Sequence, residues 1–195
     1  PAIRALERGE VHYPAALGLP RLREAIAGYY RSRYGVDVPA SRIIITTGSS
    51  AALMLACAAL IDPGDEVLLA DPGYPANRHF VRVMEGVPRA VPVTAADDFQ
   101  LAPAHLERGW NARTVAAIVA SPSNPTGTLV STERLSAMAE IVRSRGGALM
   151  VDEIYHGLVY EGDYTTALAF SENVFVINSF SKYFQMTGWR LGWLV

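Results

Sequence analysis

The amino-acid sequence predicts an α/β domain of three αβα layers, built on a mostly parallel seven-stranded sheet with helices on both faces. Half of the 195 residues are hydrophobic and 18% are charged, which is the balance of a globular domain large enough to bury a core. Short apolar segments alternate with segments of helical periodicity. Continuous apolar strands separated by helices indicate a parallel sheet that is buried on both sides.

The predicted strands are short runs rich in Val, Ile, Leu and Ala. Their shortness and their β-branched residues favour buried strands over helices. Polar residues follow most of these runs, where the chain is expected to turn. The seven runs are residues 43–46, 66–70, 89–93, 114–120, 148–152, 174–178 and 190–195.

Three segments have the clearest helical patterns. The first, 22–34, precedes the first strand within a leading helical segment of residues 1–35, and the second, 50–60, follows that strand. The third, 132–145, lies between the fourth and fifth strands and stops at Gly146, because glycine commonly ends helices. We assign the whole chain, 1–195, to one domain.

The composition excludes several classes of function. A formal net charge of −2 offers no electrostatic surface for nucleic acid or an anionic membrane, and the longest apolar run, 51–61, is too short to span a bilayer. Cys57 is the only cysteine, which excludes an intrachain disulfide and a cysteine-based metal cluster, so we expect no metal site. Because no signal peptide is recognisable, we expect a cytoplasmic location.

Lys182 is the only lysine among 17 basic residues, so the other 16 are arginines. Lysine differs from arginine because it can lose its proton and act as an amine nucleophile. An arginine-biased composition would explain a single lysine equally well. The count alone therefore makes Lys182 a candidate for amine chemistry without deciding the matter.

Polar groups follow three predicted strands at the same edge of the sheet. Residues 47–50 (Thr-Gly-Ser-Ser) precede a helix, whose free N–H groups can bind phosphate, although ordinary N-capping by the serines would explain them too. Asp152 ends the fifth strand, and Lys182 follows the sixth, with Arg190 eight residues later. Sites form at the carboxyl ends of parallel strands. Pyridoxal 5'-phosphate (PLP) would match these groups with its phosphate, ring nitrogen and aldehyde.

Three motifs resemble the signatures of the class I and II aminotransferases, which are fold-type I PLP enzymes. The motifs are Ser121-Pro-Ser-Asn-Pro-Thr-Gly127, Val151-Asp-Glu-Ile-Tyr155 and Ser179-Phe-Ser-Lys-Tyr-Phe-Gln-Met-Thr-Gly-Trp-Arg-Leu-Gly192. The resemblance extends from about Tyr13 to Val195. It implies the PLP-binding large domain of this family, with an antiparallel last strand. It also implies a homodimer that moves an amino group between an L-amino acid and a 2-oxo acid.

The resemblance assigns roles to individual residues. It implies that Lys182 carries PLP as a Schiff base and that Asp152 binds the pyridine nitrogen. Asn124 and Tyr155 are implied to hold the phenolic oxygen. The other implied contacts are stacking by Tyr74, phosphate binding by Ser49, Ser50, Ser179 and Arg190, and a contact from Tyr13 to the neighbouring subunit's phosphate. Gln185 departs from the pattern, in which the third position after the lysine is usually small.

Other titratable residues receive structural interpretations. We expect Cys57 to lie in the core and His156, next to Tyr155, to lie in a solvated turn. Glu153 should point away from Asp152 if the strand continues, so it receives no catalytic role.

Two other functions remain open on the same scaffold. One is a different fold-type I enzyme, such as a carbon–sulfur lyase or a decarboxylase, and the other is a PLP-binding effector domain of a transcription regulator. The segment Met186-Thr-Gly-Trp-Arg190 resembles the aminotransferases more than the regulators. In this family the arginine that binds the substrate carboxylate lies in a small C-terminal domain, which we expect beyond Val195. The 195-residue chain should therefore be inactive alone, and its sequence does not name the substrate.

Overall fold

The computed structural model describes residues 2–195 and contains a single sheet of seven strands in that range. The strands are β1 (Ile44–Thr46), β2 (Glu66–Asp71), β3 (Val87–Pro92), β4 (Thr114–Ala120), β5 (Ala148–Asp152), β6 (Val174–Ser179) and β7 (Gly192–Leu194). Their order across the sheet is β1-β7-β6-β5-β4-β2-β3. Strand β7 is antiparallel to its neighbours β1 and β6, and the other pairs are parallel. The predicted fold class is therefore confirmed.

The described range contains six α-helices, and all except α1 contribute buried side chains to the core. They are α1 (Ala2–Glu7), α2 (Pro20–Tyr34), α3 (Ser49–Leu60), α4 (Ala76–Val83), α5 (Pro103–Gly109) and α6 (Thr132–Ser144). The three predicted helices, α2, α3 and α6, lie within two residues of their predicted ends. Helices α4 and α5 were not predicted, because 8 and 7 residues are too few for a strong periodic signal. The leading segment is helical only in part, since residues 8–19 lie outside both of its helices.

Two clusters of buried side chains hold the helices on opposite faces of the sheet. On one face α3 packs with Leu53 and Cys57, and Cys57 is fully buried as expected. On the other face α2, α5 and α6 share a cluster with the sheet. Val67 and Leu69 of β2 belong to the first cluster and Leu68 belongs to the second, because successive side chains of a strand alternate between faces.

The parallel register brings the ends of the central strands together. Ala120 at the end of β4 pairs with Asp152 at the end of β5, and Asp152 pairs with Ile177 near the end of β6. The segments that follow these strands therefore leave the sheet at one edge, where a site is expected.

None of the helices between residues 2 and 195 combines the length and the hydropathy that crossing a bilayer requires.

Candidate functional site

A cavity of about 80 Å³ lies at the edge of the sheet where β4 and β5 end. Six residues that the sequence analysis selected line it: Ser49, Tyr74, Asn124, Asp152, Tyr155 and Lys182. Ala120 and Ile154 complete the lining. The six residues come from separate loops and strand ends, so the fold brings together groups that are far apart in the sequence.

Asp152 is the buried acid of this cavity. Its side chain is 7% exposed at the end of β5, and Oδ1 accepts a hydrogen bond from the Ile154 N–H at 3.0 Å. Burial raises the pKa of Asp152 from 3.8 to about 6, and the Ile154 N–H and the charge of Lys182 offset this only in part. An ionised carboxylate here therefore lacks a sufficient positive partner.

Lys182 supplies the amine of the cavity. It lies on the loop after β6, and its Nζ atom is 5.6 Å from the centre of the Tyr155 ring. The side chain is exposed, so a small molecule entering the cavity can reach the amine. The Tyr155 hydroxyl and the Asn124 amide add hydrogen-bond donors to the same lining.

The start of α3 and Arg190 form a basic cleft beside the cavity. Gly48 is the N-cap of α3, and Ser49 and Ser50 are its first two residues. A Cβ atom on Gly48 would lie 2.6 Å from Nη2 of Arg190, and the φ of Gly48 is +89°, so only glycine fits without rearrangement. Free helix N–H groups next to a guanidinium provide donors suited to an anion.

Two serines lie beneath this cleft. Ser179 is buried, and its hydroxyl accepts the N–H of Ser181 at 3.0 Å and donates to the Leu191 carbonyl at 3.0 Å. The Ser181 hydroxyl lies 3.5 Å from Nη1 of Arg190. Ser181 was not among the predicted site residues, and its place directly before the lysine in the third motif was the only available signal.

The loop between Lys182 and β7 contains two residues in left-handed backbone conformations. The φ values of Gln185 and Arg190 are +57° and +48°, and such a conformation costs an L-residue about 1–2 kcal/mol. Glycine would relieve this cost at 185, whereas another small residue with a Cβ atom would not. Arg190 lies outside β7, and the prediction that the last strand begins there is wrong.

The structure does not bring every selected residue to the cavity. Ser50 lies at the start of α3 but does not line the cavity, and Tyr13 is fully exposed and contributes nothing to the lining. His156 is only 3% exposed, so the expectation of a solvated turn is wrong. Its imidazole is buried because Tyr34 of α2 covers it, at 3.0 Å from Nδ1. Glu153 is outside the lining, as expected.

Comparisons with known proteins identify the family of this chain. The sequence profile of the family "Aminotransferase class I and II" matches residues 2–195. The valine–pyruvate aminotransferase of Mycobacterium tuberculosis is 42% identical over 196 aligned residues, which cover 100% of this chain and 50% of the relative. The aspartate aminotransferase of Pyrococcus horikoshii is 35% identical over 100% of this chain and 50% of its own length.

A solved structure of Thermus thermophilus aspartate aminotransferase with maleate has a TM-score of 0.94 at 36% identity. The match covers 99% of this chain and 51% of that one. The chain thus spans about half the length of the curated relatives it matches. Because the family profile matches nearly every residue and the fold agrees throughout, this chain belongs to the class I and II aminotransferases.

Proposed function

We propose that this chain is the cofactor-binding large domain of a PLP-dependent aminotransferase, which transfers an amino group between an L-amino acid and a 2-oxo acid. One observation carries the proposal. The amine of Lys182 and the buried carboxylate of Asp152 share a cavity with Asn124 and Tyr155, beside a basic cleft. The names of the relatives support the same reaction class.

The side chains of the cavity fit PLP in three respects. Asp152 is a buried carboxylate that needs a positive partner, which a protonated ring nitrogen would provide. The cleft formed by Gly48, Ser49 and Arg190 presents donors suited to a phosphate. Lys182 presents an amine that can react with an aldehyde.

When bound, PLP supplies an aldehyde that reacts with amines and a ring that accepts electrons from the substrate Cα. The carboxylate of Asp152 holds a proton on the ring nitrogen by charge pairing. Asn124 and Tyr155 line the cavity and would donate hydrogen bonds to the phenolic oxygen, and Tyr74 would cover the ring and exclude water. The Nζ atom of Lys182, which lines the same cavity, would act as the general base that takes up the proton from the substrate Cα.

An assay of the full-length protein with a panel of L-amino acids and 2-oxo acids tests the proposed reaction. We expect equal amounts of a new amino acid and a new 2-oxo acid, because transamination conserves the amino group. Release of ammonia, sulfide or carbon dioxide without amino transfer would instead support a lyase or a decarboxylase. PLP binding without any turnover would support an effector domain.

Borohydride treatment of the PLP-loaded full-length protein should attach a pyridoxyl group to Lys182. Lys182 is the only lysine of the chain and lies on the cavity, so its amine is the expected nucleophile. Peptide mapping by mass spectrometry locates the group, and Lys182→Arg serves as the unlabelled control. A label confined to the N-terminal amine would contradict this assignment.

Replacing Arg190 with alanine should weaken PLP binding by about 1.5–3 kcal/mol, because a charge-assisted contact to phosphate is lost. The dissociation constant is measured by absorbance titration of the full-length apoprotein. Arg143→Ala is the matched control, since Arg143 pairs with Glu140 on the exposed surface of α6. Equal affinity in the Arg190 variant and the wild type would count against the phosphate cleft.

We also propose that the enzyme is a homodimer in which Tyr13 contacts the phosphate of the partner subunit. In support, the Tyr13 side chain is fully exposed and does not line the cavity of its own chain. Analytical ultracentrifugation of the full-length protein tests the dimer. Titration of a Tyr13→Phe variant with PLP tests the contact.

A further inference from the structure

Glu153 is a second buried acid that lies behind the cavity, and the proposed reaction does not use it. Its side chain is 1% exposed. Oε1 accepts hydrogen bonds from the Thr166 hydroxyl at 3.0 Å and from the Ala167 N–H at 2.7 Å. Oε2 has no hydrogen-bond partner among residues 2–195, and it lies 3.4 Å from Nδ1 of His156.

His156 is the other member of this buried pair. Its Nδ1 atom lies 3.0 Å from the Tyr34 hydroxyl, and the backbone of Ser121 is close enough to the ring to oppose the lowering of its pKa. Because Nδ1 faces Tyr34 and Glu153, we assign the Ser121 contact to Nε2, which donates its proton to the carbonyl oxygen. A neutral ring then presents the one lone pair of Nδ1 as an acceptor, which the Tyr34 hydroxyl at 3.0 Å shares with Glu153 at 3.4 Å.

The geometry favours a pair without charge. An ionised Glu153 would place Oε2 opposite the lone pair of Nδ1 with no donor between them, which is a costly arrangement in the interior. A proton on Oε2 removes the charge and offers Nδ1 a donor. Burial raises the pKa of Glu153 and lowers the pKa of His156, and the charges of Asp152 and Arg33 act in the same directions.

The backbone of both residues belongs to the turn that follows β5, so their side chains are anchored at that turn. The Glu153 N–H donates to the Ile177 carbonyl at 2.8 Å, which fixes the residue directly after Asp152. The His156 N–H donates to the Glu153 carbonyl at 2.9 Å and closes the turn that contains Tyr155. Glu153 therefore directly follows Asp152, and His156 directly follows Tyr155; Asp152 and Tyr155 are the residues that this segment presents to the cavity.

A second connection leads to the loop that carries Asn124. Ser121 begins this loop, its backbone contacts the His156 ring, and its N–H donates to the Asp152 carbonyl at 3.1 Å. The buried pair thus contacts both segments that carry the polar groups of the cavity.

We propose that Glu153, protonated on Oε2, and His156 form an uncharged positioning pair that holds Asp152, Tyr155 and Asn124 in place for the cofactor. The proposal rests on the proposed function, because these three residues are cofactor ligands only if the chain binds PLP. Neither member of the pair lines the cavity, so both act through other residues. The titratable groups that face the pair are Asp152 on its own segment, Tyr29, Tyr30, Arg33 and Tyr34 on α2, and Tyr164 between β5 and β6.

Glu153→Gln in the full-length protein tests the protonation state. The amide keeps an acceptor for Thr166 and Ala167 and gives His156 a permanent donor, so PLP affinity should stay within about twofold of wild type. In the apoprotein, the raised pKa of Glu153 means that wild-type stability falls as pH rises from the ordinary value of 4.5 towards and beyond neutrality. The urea midpoint of Glu153→Gln should therefore exceed that of wild type increasingly between about pH 5 and pH 8, where the folded carboxyl group loses its proton.

Glu153→Leu tests the positioning role. This variant removes the acceptor of the Thr166 hydroxyl and the Ala167 N–H and the donor to His156, so we expect PLP to bind at least about tenfold more weakly. The pH at which the absorption band of the bound cofactor shifts should also move, because Tyr155 and Asn124 set it. If Glu153→Leu does not fold, Thr166→Val removes one donor to the same carboxyl group and should move that pH in the same direction. Glu140→Gln on exposed α6 is the control and should change neither value.

The outcomes separate this proposal from the proposed function. A loss of PLP affinity beyond about tenfold in Glu153→Gln would mean that Glu153 acts as an anion, and would overturn the neutral pair. Unchanged affinity and an unchanged absorption midpoint in both Glu153→Leu and Thr166→Val would overturn the positioning role. Failure of the wild type to bind PLP would refute the proposed function, whereas the urea measurement would still decide whether Glu153 is protonated.

Discussion

Replacing Lys182 with alanine should abolish transamination by the full-length enzyme. We expect kcat to fall by about 10³-fold or more, since covalent attachment and general-base catalysis are both lost and the latter alone contributes orders of magnitude. Lys182 is the only lysine of the chain and lies on the cavity, so no other lysine of these residues can replace it. A coupled transaminase assay under saturating PLP measures the effect.

Lys182→Arg separates the amine from its charge. Arginine keeps a positive charge near Asp152, whose pKa responds to Lys182, but it cannot act as an amine nucleophile. We therefore expect Lys182→Arg to be as inactive as Lys182→Ala. If either variant kept about a tenth of wild-type kcat, Lys182 would not be the general base.

Replacing Asp152 with asparagine should change stability and activity in opposite directions. The pKa of Asp152 is raised from 3.8 to about 6, chiefly by burial. The folded apoprotein therefore binds this proton more tightly than the unfolded chain, and its stability falls as pH rises between about 4 and 6. Asparagine carries no such charge, and its Oδ1 atom can still accept the Ile154 N–H. The free energy of unfolding of the apoprotein at pH 7 should rise by about 2–3 kcal/mol.

The same substitution should lower kcat below about a tenth of wild type, because the ring nitrogen loses the anion that keeps it protonated. Urea unfolding at pH 4 and pH 7 measures the stability, and the assay with PLP measures the activity. Asp163→Asn, at an exposed position, is the control and should change neither. If Asp152→Asn gave a less stable apoprotein at pH 7, or kept nearly full activity, Asp152 would not be an unpaired carboxylate whose positive partner is the ring nitrogen.

The sequence by itself determined the central strands of the sheet and the amine and carboxyl groups of the candidate site. Strands β4 and β5 have their predicted bounds, because each is an uninterrupted run of small and β-branched apolar residues whose identity follows from local composition. Lys182 and Asp152 were recognisable from the lysine count, from the strand ends and from the spacing of the motifs. These features depend on neighbours along the chain, which the sequence contains in full.

Only the tertiary structure decided how distant segments meet. Tyr34 covers His156 although 122 positions separate them, and no local pattern encodes that burial. The approach of Arg190 to Gly48 likewise depends on β7 pairing with β1, which places Gly192 opposite Thr46. Burial, the pKa of a carboxyl group and the partner of a guanidinium are set by contacts between segments far apart in sequence. Glu153 therefore became informative only once its neighbours Thr166 and His156 were known.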